Sequence, residues 1–259
     1  MYIAELSYPG TWLDRSDAKW SWRVANVLRD AESPLAETAI ALTWFEVEQQ
    51  KSSETQARTE PETDATPFVQ FMARLTEELG PGPYNAAEFL AMHLRLELEA
   101  KREQWKRGVV PDSYQQRFVF MHAKTFLLAL DRIDRLFDTL AKMPDVPEAV
   151  GQAKQAFDTA LPALRGVRNS VAHREDRSRG LGRDGKPLSL KPVDNQLVRA
   201  PGGVLILESL IGNRFGSTMA DGEYGEVSVT PASLAAANQL VQMSIEAFRW
   251  KGPPYHWPR

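Results

Sequence analysis

Residues 114–142 read YQQRFVFMHAKTFLLALDRIDRLFDTLAK and give the strongest indication of fold class in the sequence. Its apolar side chains recur every three or four residues, at Val119, Ala123, Phe126, Leu130, Ile133, Phe137 and Leu140. Charged side chains are assigned to the other face, at Asp131, Arg132, Asp134, Arg135 and Asp138. This spacing predicts a long amphipathic helix that packs on a core along one side and is stopped by Pro144.

Helices are also predicted on both sides of this segment. Residues 16–29 carry apolar positions at helical spacing, and residues 85–107 are rich in Leu, Glu, Ala and Lys. Pro147 opens a further helix whose apolar stripe continues to Val171, and Thr230-Pro231 caps a final helix. The chain is therefore predicted to be mainly α-helical.

A different pattern fills the region before the final helix. The short runs LSLKP, NQLVR, VLILESL and EVSVT are separated by turn pairs such as Gly202-Gly203 and Asp221-Gly222. Such a pattern is typical of strands joined by tight turns. We expect a small antiparallel β insertion at about residues 186–230.

One polar segment suggests how the chain is divided. Residues 51–67, KSSETQARTEPETDATP, contain two prolines and show no periodicity, so they are predicted to be a loop or a disordered linker. The domains predicted on this basis are an N-terminal helical extension with its polar linker at 1–66 and a helical domain at 67–259.

Composition excludes several classes of protein. Among the 259 residues, 43% are hydrophobic, 25% are charged and none is cysteine, which is typical of a globular protein in a reducing compartment. No apolar run reaches the ~18 residues of a spanning helix, and the N-terminus does not resemble a signal peptide. We therefore expect a cytoplasmic protein without membrane association.

Two sequence features bear on metal and nucleotide binding. The four histidines, His93, His122, His173 and His256, are far apart in sequence and none begins an HExxH pair, so neither a metal site nor a cofactor is predicted. Residues 180–186, GLGRDGK, match the GxGxxG and GxxxxGK patterns of phosphate-binding loops. Because neither the preceding strand nor the following helix is indicated, a turn is the better interpretation.

The run Arg168-Asn169-Ser170-Val171-Ala172-His173 is the feature most indicative of chemistry. An Arg is followed directly by Asn and, five positions on, by a His preceded by Ala, all at the end of a predicted core helix. This arrangement resembles the RxxxxH motif of the HEPN superfamily. The resemblance covers roughly residues 85–250 and leaves residues 1–80 and the β insertion outside the minimal family fold.

The resemblance implies an up-and-down four-helix bundle that forms a homodimer, with the motifs of two protomers sharing one cleft. It also implies a metal-independent endoribonuclease, possibly of a toxin–antitoxin or defence system, in which the ribose 2′-OH attacks the adjacent phosphorus. His173 would then be the general acid or base and Arg168 would stabilise the phosphorane, while Asn169 would position the phosphate or the His. The RNA backbone would be contacted by Arg165, Arg174 and Arg177. An antitoxin or another regulatory protein is a further partner that the resemblance suggests.

Helix geometry bears on the shared site. Five residues at ~100° each place Arg168 and His173 about 140° apart around one continuous helix. Either the helix ends before His173 or a second protomer completes the site.

Other interpretations stay open. The chain could be a non-catalytic HEPN module that binds RNA, a nucleotide or a protein, or a helical scaffold without a nucleic-acid role. Arg168 could simply cap its helix, and His173 could be an ordinary residue at a helix end. Asp131 and Asp134 are assigned to a solvated face, although either could hold Arg168.

Overall fold

A computed structural model describes residues 1–57, 70, 73–78, 80, 85–195 and 197–259, and the chain is mainly helical over these residues. The helices are α1 Ala18–Arg29, α2 Glu32–Ala57, α3 Ala86–Lys106, α4 Asp112–Ala141, α5 Glu148–Ala160, α6 Leu164–Ala172, α7 Arg174–Ser178 and α8 Pro231–Glu246. Residues 73–78 are also helical. None of these described helices combines the length and apolar character needed to cross a membrane.

Small antiparallel sheets accompany the helices. The strands are β1 Leu6–Tyr8, β2 Trp12–Leu13, β3 Val193–Asp194, β4 Arg199–Ala200, β5 Ser209–Ile211, β6 Arg214–Thr218, β7 Tyr224–Ser228, β8 Trp250–Lys251 and β9 Tyr255–Trp257. Strands β5, β6 and β7 form a three-stranded sheet, and β3 pairs with β4. The antiparallel β element predicted before the final helix is thereby confirmed.

The chain forms two compact units. The first contains residues 1–46 and 120–259, and the second contains residues 47–119. In the first unit the two ends of the chain pair with each other, β1 with β9 and β2 with β8. The units therefore do not divide after residue 66, where the sequence suggested a domain boundary. Residues 1–46 belong to the same unit as residues 120–259.

The polar segment is only partly described. Helix α2 continues to Ala57, so residues 51–57 are helical rather than a loop. Residues 58–67 of the predicted linker lie outside the described residues.

The apolar stripe of α4 is buried as predicted. Its side chains from Val119 to Leu140 are at most 6% exposed, and Phe137 packs on Phe157 of α5 with ring centroids 5.4 Å apart. The charged face is different from the prediction, since Asp131 and Asp134 are each only 3% exposed.

The helix predicted to run from Pro147 through the RNSVAH run is interrupted. Helix α5 ends at Ala160, Leu161 has φ −132° and ψ 57°, and α6 begins at Leu164. Pro162 explains the break, because proline disfavours helical backbone in the residue before it and cannot donate a helix hydrogen bond. The motif therefore lies on a separate short helix.

Candidate functional site

The RNSVAH run occupies the end of α6. Arg168 and Asn169 are within the helix, which ends at Ala172, and His173 follows with φ −116° and ψ 41°. The His173 backbone N–H still donates to the Asn169 carbonyl at 3.0 Å, and α7 starts at the next residue. Of the two arrangements considered from helix geometry, the helix does end before His173, and the imidazole is exposed.

Arg168 is held by a buried carboxylate. Its Nη2 lies 2.7 Å from Asp131 Oδ2, its Nη1 donates to Asn169 Oδ1 at 2.8 Å, and its side chain is 16% exposed. The same Asp131 oxygen accepts from Arg135 Nε at 2.8 Å. Asp131 thus faces the motif instead of solvent, and the guanidinium contacts this carboxylate and Asn169 rather than capping its helix.

Arg165 makes a second set of ion pairs with α4. Its Nε lies 3.1 Å from Asp134 Oδ2, and its Nη2 lies 2.7 Å from Asp138 Oδ2. Lys154 Nζ approaches Asp134 Oδ1 at 3.0 Å and Asp138 Oδ1 at 3.5 Å. Burial by itself raises the pKa of Asp138, but hydrogen bonds and charges from Arg165 and Lys154 outweigh it, so the pKa is lowered.

Arg174, directly after His173, forms an ion pair with Glu208 of the β insertion. Its Nη1 lies 2.9 Å from Glu208 Oε2, while Lys124 Nζ of α4 lies 2.7 Å from Glu208 Oε1. The Glu208 side chain is only 6% exposed. Neither Glu208 nor Lys124 was predicted from the sequence to lie near the motif. The available signal was a carboxylate inside the apolar run VLILESL, because a buried charge requires a partner.

Arg177 does not face solvent. It is 4% exposed, and its Nη1 donates to the carbonyls of Leu181 and Gly182 at 2.5 and 3.2 Å. These contacts hold the loop at residues 180–187, which a bridge between Leu181 and Pro187 closes. The GLGRDGK run is therefore a turn, as predicted. Because Arg177 is buried, its placement does not support the contact with RNA that was expected of it.

The motif helix packs directly on the three-stranded sheet. A Cβ added at Gly166 of α6 would overlap the Met219 sulfur just after β6, and one added at Gly225 of β7 would lie 2.8 Å from the same sulfur and 3.1 Å from Ala163 Cβ. A methyl group at either glycine would therefore require the Met219 side chain to move. The motif helix α6 therefore packs directly against the β insertion.

Three side chains beside the motif could offer ligands to a metal. Ligand atoms of His173, Glu175 and Asp176 all lie within 4.8 Å of one another. Asp176 Oδ1 is already 2.6 Å from Arg179 Nη2. A cation held here would use the His173 ring nitrogen and so would compete with proton transfer by that ring.

The comparisons with known proteins leave the motif as the basis for any family assignment. No protein-family model matches the chain, and searches of curated proteins and of solved structures find no similar protein.

Proposed function

We propose that this protein is a metal-independent endoribonuclease of the HEPN type, with a site that two protomers share. The observation that carries the proposal is the exposed His173 imidazole at the end of a helix whose Arg168 is held in place by Asp131. A flexible guanidinium would lose conformational entropy on binding a phosphate, and prior fixation by a carboxylate reduces that cost.

Each residue of the motif has a role in this chemistry. His173 removes the proton of the ribose 2′-OH or returns a proton to the 5′ leaving oxygen, because an imidazole can both accept and donate a proton. Arg168 stabilises the charge of the phosphorane. Asn169 orients the guanidinium, because its Oδ1 accepts a hydrogen bond from Arg168 Nη1. Cleavage leaves a 2′,3′-cyclic phosphate and a 5′-OH.

The RNA backbone is contacted by the exposed cations near the motif. The Arg174 and Arg165 side chains are 49% and 53% exposed, and both already have carboxylate partners. Phosphates therefore compete with Glu208, Asp134 and Asp138, so we propose that these contacts guide the RNA rather than hold it tightly. A second protomer adds a matching set of cations to the shared cleft.

The test is cleavage of single-stranded RNA in excess EDTA by purified protein and by His173→Ala. We expect cleavage by the wild type and none by the variant, with 2′,3′-cyclic phosphate ends on the products. His256→Ala is the matched control, since His256 is also exposed and lies in β9. Cleavage that persists at the wild-type rate in His173→Ala would dismiss this site.

A non-catalytic HEPN module that binds RNA, a nucleotide or a protein is the second candidate. It is favoured by the ion pair between Arg168 and Asp131, which neutralises the guanidinium and leaves its side chain only 16% exposed. This function predicts RNA binding without turnover, and weaker binding by Arg168→Ala. A toxin–antitoxin or defence setting, with a protein partner that restrains the site, belongs to either proposal through the family resemblance alone.

A further inference from the structure

The imidazole at the end of the motif lies beside two carboxylates that the proposed reaction does not use. Ligand atoms of His173, Glu175 and Asp176 all lie within 4.8 Å of one another. Among the described residues, this is the one group in which three side chains of metal-binding types come so close. One imidazole nitrogen and two carboxylate oxygens therefore meet at the residue on which the proposed function depends.

The three side chains are accessible to a ligand. His173 and Glu175 are exposed, and neither side chain has a hydrogen bond or an ion pair with another described residue. Asp176 Oδ1 lies 2.6 Å from Arg179 Nη2, but the Arg179 side chain is 64% exposed. An ion pair at such an exposed guanidinium is weak, so a cation can displace Arg179 at little cost.

The other arginines of this segment do not compete for the same carboxylates. Arg174 pairs with Glu208 at 2.9 Å. Arg177 is buried and donates to two backbone carbonyls of the loop at residues 180–187. A cation therefore competes with Arg179 for Asp176, and with neither of these two guanidiniums.

Small side-chain movements complete a coordination site. Hydrogen bonds fix the backbone here, from the Arg177 N–H to the His173 carbonyl at 3.1 Å and from the Leu181 N–H to the Asp176 carbonyl at 2.9 Å. A tetrahedral zinc ion with bonds of ~2.0–2.2 Å places its ligand atoms about 3.3–3.6 Å apart. Since the ligand atoms are already within 4.8 Å of one another, side-chain rotation closes the difference without any movement of the backbone.

We propose that His173, Glu175 and Asp176 bind a zinc-class divalent cation, and that the bound cation inhibits the ribonuclease proposed above. Imidazole together with carboxylate suits zinc and similar transition metals, whereas Mg²⁺ and Ca²⁺ prefer oxygen ligands alone. A neutral imidazole has one ring nitrogen that can accept a proton, and coordination occupies that nitrogen. His173 can then no longer take the proton of a ribose 2′-OH. The inhibition rests on the proposed function, but the binding of the cation does not.

Calorimetric titration of the full chain with ZnCl₂ tests the site directly. The dissociation constant should rise at least about tenfold in Glu175→Gln and in Asp176→Asn, because each variant loses a ligand. Asp184→Asn is the matched control and should bind zinc as the wild type does, since Asp184 is an exposed carboxylate of the following loop. Arg179→Gln should bind zinc up to about fivefold more tightly, because it removes the cation that competes for Asp176.

RNA cleavage in the presence of zinc tests the inhibition. Cleavage by the wild type should fall as ZnCl₂ is added and should return with excess EDTA, whereas MgCl₂ should not inhibit. Glu175→Gln should cleave at the wild-type rate without added metal, because Glu175 has no role in the proposed proton transfer. The same variant should continue to cleave at a zinc concentration that stops the wild type.

The two measurements separate this inference from the proposed function. Zinc binding that depends on Glu175 and Asp176, in a chain that cleaves no RNA, would support the metal site and refute the ribonuclease. Cleavage that zinc leaves unchanged or accelerates would overturn the inference and leave the ribonuclease intact. Equal zinc affinity of Glu175→Gln, Asp176→Asn and the wild type would overturn it as well.

Discussion

The ion pair between Asp131 and Arg168 leads to an asymmetric prediction about stability. Asp131→Leu removes the carboxylate, and Arg168→Leu removes the guanidinium. The Asp131 oxygen that binds Arg168 also accepts from Arg135, so it keeps a cationic partner in the Arg168 variant. In the Asp131 variant, Arg168 keeps only Asn169 Oδ1 among the contacts of the described residues. We expect Asp131→Leu to be the more damaging change.

The expected losses in the free energy of unfolding depend on how deeply each charge is buried. Removing one member of a buried ion pair costs about 3–5 kcal/mol when the remaining charge has no solvent. Because the Arg168 side chain is 16% exposed, some hydration is retained, and we expect about 2–4 kcal/mol for Asp131→Leu. For Arg168→Leu we expect about 1–2 kcal/mol, since the carboxylate left behind is still paired. The double variant should cost less than the sum, because no unpaired charge then remains.

Urea unfolding followed by far-ultraviolet circular dichroism measures these differences. Arg135→Leu is the control, since its side chain is 59% exposed and its loss should cost at most about 1 kcal/mol. Equal destabilisation by Arg168→Leu and Asp131→Leu, or additivity of the two changes, would contradict this asymmetry.

Three further predictions concern the surroundings of the motif. Gly166→Ala should lower the free energy of unfolding by at most about 1 kcal/mol, because the overlap with the Met219 sulfur is partly offset by the higher helix propensity of alanine, and Met219→Ala in the same chain should recover that loss in urea unfolding. Glu208→Gln should cost about 1–3 kcal/mol because two cations lose a buried carboxylate, whereas Glu223→Gln, at an exposed ion pair, should leave the thermal midpoint nearly unchanged. The pKa of Asp138 is lowered in the folded protein. The ionised Asp138 side chain therefore stabilises the fold in full above the unfolded pKa of ~3.9, and this stabilisation is lost as the pH falls through the lower pKa of the folded protein. The stability difference between wild type and Asp138→Asn should therefore be largest at pH 7 and should vanish in strong acid, and a difference that grows on acidification would contradict this.

Periodicity and capping determined the helices that could be predicted. The α4 stripe has the three-and-four spacing that only a helix places on one face, and Thr230 caps α8 by accepting from the Ser233 N–H at 3.2 Å. The break between α5 and α6 was missed because the apolar spacing continues across it. Pro162 was the contrary signal, since a proline inside a helical pattern ends the helix near the preceding residue.

The assignment of Asp134 to a solvated face also had a visible contrary signal. Asp134 lies four residues after Leu130 and three before Phe137, which places it on the buried stripe and not opposite it. A charge at such a position needs a partner from elsewhere in the chain. That partner could not be predicted, because Arg165 reaches Asp134 only once α6 packs against α4.

The charge of the motif region shows most clearly what a sequence cannot supply. Residues 165–191 carry eight basic and three acidic side chains, a composition that fits a solvated Arg-rich loop as well as a phosphate-facing patch. In the folded chain the carboxylates of α4 pair with Arg165 and Arg168, and Glu208 pairs with Arg174. These carboxylates lie 27 or more residues away in sequence. Counting only the charges within residues 165–191 therefore overestimates the positive charge that an RNA would meet. An RNA that binds here must gain more from each phosphate contact than it loses by displacing a carboxylate, which favours a site where two protomers contribute cations to the same phosphates.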